Sequence, residues 1–133
     1  MQSSITPTWL KRFLLIDAVA TATMGLALLA AAEWLGRLFN IQAAYLQAAG
    51  AVLVPFAALL MCAASQRTPS RRLVLALIIG NAFWVIDSVL LLFTPWISPN
   101  GLGLAFVLGQ AFAVAVLASG QFIGARRAGA LAA

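Results

Sequence analysis

Residues 73–93 read LVLALIIGNAFWVIDSVLLLF. These twenty-one residues carry a single charge, on Asp87. A helix needs about 20 mainly apolar residues to cross the hydrocarbon core of a bilayer, so this stretch predicts a membrane span. Three more stretches have the same character. Residues 13–32 hold one acid, Asp17, while residues 41–64 and 102–123 hold no charge at all. Strand spans are excluded, because the runs are continuously apolar rather than alternating. Backbone polar groups in lipid must then be satisfied within each helix.

Composition agrees. Of 133 residues, 64% are hydrophobic and 8% charged, with a mean hydropathy of +1.04. A soluble domain usually carries about 25% charged residues, and so few could not cover a water-facing surface. The expected fold is all-α, a four-helix transmembrane bundle forming one integral membrane domain over residues 1–133. The stretch 13–32 has the basic prelude of a signal peptide, Lys11-Arg12, but it is too long and is followed by more membrane. It reads as a retained span.

The connections are short. Residues 33–40 join spans one and two, with Gly36 and Asn40 as helix stoppers, and 65–72 join two and three, broken by Pro69. Residues 94–101 contain Pro95, Pro99 and Asn100-Gly101, a strong turn signal. Loops of this length make sequential helices antiparallel neighbours. Lys11, Arg12, Arg67, Arg71, Arg72, Arg126 and Arg127 then fall on one side and Arg37 alone on the other. The positive-inside rule predicts that both termini face the cytoplasm. Glu33 and Arg37, at helical spacing i and i+4, are expected to form an exposed ion pair.

The net charge of +5 belongs to these flanks, so nucleic acid is not an expected partner. The chain has no histidine and one cysteine, Cys62. That excludes a zinc-type metal site and Ser/His or Cys/His catalysis within one chain, and no cofactor is expected.

Polar residues inside the spans are the candidates for function, since intramembrane acids are costly. Counting from the span ends puts Asp87 about 10 Å and Gln110 about 12 Å from the same outer surface. Asn81, Trp84 and Ser88 share one helical stripe with Asp87 on its flank. The expected ligand-binding group is therefore Asp87, Asn81, Trp84, Gln110 and Ser88, with Asp87 facing the bundle interior. The plainer reading is that these groups only hydrogen-bond one another and hold the helices together. Asp17 counts as shallow, about 6 Å inside the cytoplasmic boundary, where Lys11, Arg12 or Arg72 could pair with it. Asp17 and Gln47 are secondary polar candidates. Pro55 is expected to kink span two, and the glycines to bring helices close.

Four motifs carry a resemblance: Ile16-Asp17-Ala18-Val19, Val54-Pro55-Phe56-Ala57, the Asn81/Trp84/Asp87 set, and Ala105-Phe106-Val107 followed by Gln110-Ala111. On these the chain resembles an uncharacterised family of small four-span bacterial inner-membrane proteins. The resemblance implies a multi-pass location in the bacterial inner membrane and no activity. The functional expectation is a non-catalytic membrane protein, a helix-packing subunit or a binder of a lipid-like ligand within the bundle. The alternative is a small proton-coupled transporter using Asp87. The expected partners are membrane lipids, and a second copy of the chain or a larger membrane complex.

Overall fold

The computed structural model describes residues 5–127, with side chains from Thr8 onward. Residues 1–4 and 128–133 of the expected single domain lie outside the described residues. Five helices account for the described fold: α1 (Ile5–Ala30), α2 (Ala32–Phe39), α3 (Ala43–Ser65), α4 (Arg71–Leu91) and α5 (Gly101–Arg127). Four of them, α1, α3, α4 and α5, are long and apolar enough to cross a membrane, each with a mean hydropathy of 2.0 to 2.1 over its most apolar window. The architecture is that of an all-α, multi-pass membrane bundle.

Two bounds differ from the sequence expectation. The first helix begins at Ile5 rather than near residue 13, because nothing after Ile5 breaks it and Trp9 and Leu10 pack against α5 at Gly124. Lys11 and Arg12 therefore ride on the helix instead of preceding it. The first connection, expected to be a loop, is the short helix α2. It follows α1 after a single distorted residue, Ala31, whose N–H still bonds to Ala27 O at 2.9 Å. Asn40 ends α2 in the left-handed conformation, φ 57° and ψ 46°. An amide side chain tolerates that region better than most. Gly36 is not a stopper. It lies inside α2, and a methyl group there would come 2.6 Å from Ile41 O, so its bareness lets the chain turn back beside the helix. Glu33 and Arg37 both lie on α2, yet no acid–base pair approaches within 4 Å among the described residues.

Neighbours follow chain order around the bundle: α1 packs on α3, α3 on α4, α4 on α5, and α5 back on α1. The closest contact is α1 with α3, where Gly25 and Gly50 let the backbones meet. A methyl group on Gly50 would sit 2.8 Å from Gly25 O. Pro55 lies within an unbroken α3. On the opposite side Gly120 of α5 receives the ring of Phe13, leaving no space for a side chain. The α3–α4 contact is the thinnest between sequential spans, with Phe56 seated over Gly80. The diagonal pair α1 and α4 makes no close backbone approach.

Two apolar clusters fill the bundle. One, near the N-terminal end of α1, joins Leu10, Leu14, Leu60, Val74, Leu77 and Ala125; the other, near α2, joins Leu28, Phe39, Ile41, Leu46, Leu53, Ile97 and Val107. Between and beside them lie two layers of polar side chains.

Candidate functional site

The inner layer is built on the buried stripe of α1, where Leu10, Leu14, Asp17, Ala18, Thr21, Gly25 and Leu28 recur at helical spacing. Asp17 is 1% exposed. The nine helical steps from Thr8 to Asp17 amount to about 14 Å, well inside the span. It is not the interfacial acid expected, and neither Lys11, Arg12 nor Arg72 pairs with it. Its carboxylate collects three donors instead. Thr21 Oγ1 donates to Oδ1 at 2.9 Å, while Asn81 Nδ2 and Gln121 Nε2 donate to Oδ2 at 2.7 and 2.6 Å. Asn81 Nδ2 also donates to Gln121 Oε1 at 3.2 Å, closing a ring of side chains from α1, α4 and α5. The Asn81 amide thus reaches across the diagonal that the backbones leave open. A carboxylate in hydrocarbon costs several kcal/mol, and this ring is what makes the burial tolerable.

The outer layer joins α4 to α5. Trp84 Nε1 donates to Gln110 Oε1 at 2.7 Å, and Gln110 Nε2 donates to Ser88 Oγ at 3.1 Å and to Val107 O at 2.9 Å. Ser88 Oγ donates in turn to Trp84 O at 2.7 Å. Trp84 and Ser88, from the expected stripe of α4, thus meet Gln110 of α5, whereas Asp87, the residue matched to Gln110 by depth, makes no bond to it.

Asn81 does not join them, since its amide is held in the inner layer. Asp87 does not face the packed interior either: it is exposed, and its carboxyl has no hydrogen bond. The α4 stripe of Val74, Leu77, Asn81, Trp84 and Ser88 turns inward, which leaves Asp87 on the flank. Gln47 is exposed and lines a shallow hollow with Glu33, Trp34 and Arg37, away from both layers. Thr21 and Gln121 were not among the expected residues. Thr21 is one helical turn from Asp17, and Gln121 is an amide within the fourth apolar run, so both signals were present.

Asp87 nonetheless borders a space. A cavity of about 230 Å³ lies on the α2 side of the inner layer, lined by residues of α1, α3, α4 and α5. Met24, Leu28, Leu46 and Phe106 contribute to an apolar lining, and Trp84, Asp87, Ser88 and Gln110 form its polar wall. Four of the five expected ligand-binding residues thus line one cavity, and Asn81 does not.

No protein family, curated protein or solved structure matches the chain.

Proposed function

We propose that this chain is a non-catalytic protein of the bacterial inner membrane that holds a lipid-like molecule in the cavity lined by α1, α3, α4 and α5. The observation that carries the reading is the cavity itself, apolar on most sides and bounded by the ordered Trp84–Gln110–Ser88 chain. Ligand sites in membrane-sized bundles have this make-up, a largely apolar lining with a few fixed polar groups. The polar groups present are an indole, an amide, a hydroxyl and a carboxyl, with no nucleophile–base pair among them. Large apolar side chains such as Phe83, Phe93 and Phe112 point outward and suit lipid or a further copy of the chain.

Orientation follows from charge. Seven of the eight bases lie at the end of the bundle that holds the N-terminus of α1, the α3–α4 turn and the C-terminus of α5, and that end is assigned to the cytoplasm. In a Cys62→Ala background, Ser98→Cys should then react with an impermeant thiol reagent added outside intact cells. Reaction only after lysis would reverse the assignment.

The cavity reading is tested by native mass spectrometry of the gently solubilised protein. The parent should carry a bound lipid-like molecule, and Ala49→Phe, which fills the cavity from α3, should lose it. A folded parent with nothing bound would leave the packing subunit as the better reading. The unpartnered Asp87 at the cavity also keeps a proton-coupled carrier in view, and saturable flux in proteoliposomes that is abolished by Asp87→Asn would establish it.

A further inference from the structure

The polar wall of the cavity is lopsided in its chemistry. Every donor of its ordered cluster is already committed: the Trp84 indole to Gln110, both Gln110 amide hydrogens to Ser88 and Val107, and the Ser88 hydroxyl to Trp84 O. What that wall still offers is acceptors, the second lone pair of Gln110 Oε1 and both oxygens of Asp87. Asp87 is the only charged residue among the lining, and no base comes within 4 Å of it. Tyr45 of α3 adds a phenol to the lining.

A carboxylate next to apolar surface is stabilised by a cation or by donors, and an anion beside Asp87 would meet its negative charge with no free donor on that wall. Three rings, Tyr45, Trp84 and Phe106, line the same space, and ring faces attract cations, most of all quaternary ammonium groups. The size adds a second restriction. At about 230 Å³ the cavity falls below the roughly 300–1,000 Å³ that encloses a drug-sized ligand, so part of the occupant must trail outside. Contact between neighbouring spans is thinnest between α3 and α4, the side that offers least obstruction to a chain.

Resting on the cavity reading above, we propose that the occupant is a single-chain amphiphile with a cationic head, an amine or quaternary ammonium, whose charge pairs with Asp87 and whose chain leaves between α3 and α4. The inner-layer acid cannot serve this role, since all its neighbours donate to it and it is closed off.

The test compares three probes of equal chain length on the whole protein in nanodiscs of zwitterionic lipid: dodecyltrimethylammonium, dodecanol and dodecanoate. Equilibrium binding of each radiolabelled probe is measured against empty nanodiscs. The parent should bind the ammonium saturably, about tenfold or more tighter than the alcohol, with the carboxylate weakest. Asp87→Asn should lower the ammonium to the level of the alcohol and leave the alcohol unchanged. Ala49→Phe should lose all saturable binding. If the three probes bind the parent alike and Asp87→Asn changes none of them, the cavity stands and the cationic assignment falls. If dodecanoate binds best, the assignment is likewise overturned. Absence of saturable binding for every probe, or binding that Ala49→Phe leaves intact, removes the cavity reading and this inference together.

Discussion

The inner and outer polar layers use the same alphabet, one carboxyl each with amides and hydroxyls around it, yet they treat the acid in opposite ways. In the inner layer three donors from three helices hold both oxygens of Asp17, which is buried away from any ligand. In the outer layer the amide, indole and hydroxyl satisfy one another and leave Asp87 aside, next to a cavity. The cause is position on the helix. Asp17 lies on the buried stripe of α1, whereas Asp87 is displaced to the flank of the α4 stripe that carries Trp84 and Ser88. An acid at the centre of a bundle becomes part of its packing, and one at the margin keeps its valences for a ligand.

The contrast is broken or sharpened by substitution. The largest effect is expected from Asp17→Leu, which leaves the Asn81 and Gln121 amides without their acceptor and should cost about 3 kcal/mol in a detergent-unfolding titration. Asp87→Leu should change the same titration by no more than about 0.5 kcal/mol, as surface substitutions do. Equal losses at the two acids would mean that both are structural. Next come two glycines on α5. Gly120→Val collides with Phe13 and pushes the inner layer apart, at about 2 kcal/mol. Gly109→Val at the level of the outer layer meets nothing within 4 Å and should be nearly neutral. A smaller effect, about 1 kcal/mol of coupling in the double-mutant cycle, is expected between Asn81→Leu and Gln121→Leu, because they share Asp17 as acceptor. Additive losses would show that the ring is not a unit. Trp84→Phe, which removes one interhelical bond, should cost less still, about 0.6 kcal/mol. A loss as large as that of Asp17→Leu would place the weight of the bundle in the outer layer.

The spans were legible because four apolar runs admit no other solution in lipid. The helix bounds were less so. Lys11-Arg12 look like the edge of a span, but basic side chains can extend along a helix to the interface, so α1 starts earlier than the charge pattern suggests. That shift also explains the misplaced acid. Measured from residue 13, Asp17 is shallow; measured from Thr8 it is deep. Its periodicity with Leu10, Leu14, Thr21 and Leu28 was visible throughout and was the better guide. The outer layer emerged correctly for Trp84, Ser88 and Gln110, where stripe and depth agreed. It failed for Asn81, whose amide had a stronger acceptor within reach on a helix that is not a sequence neighbour. No local pattern announces a contact such as Asp17 with Gln121, 104 residues apart.

That separation bears on how the protein is made. Ribosomes deliver the chain from the N-terminus, so Asp17 enters the membrane region with only Thr21 beside it, Asn81 follows two spans later on α4, and Gln121 later still on α5. Until α5 is threaded, the acid on α1 has an incomplete set of donors, and leaving the insertion machinery at that point would strand it in lipid. A nascent chain stopped short of Gln121 would lack one of the three donors that make the burial of Asp17 tolerable.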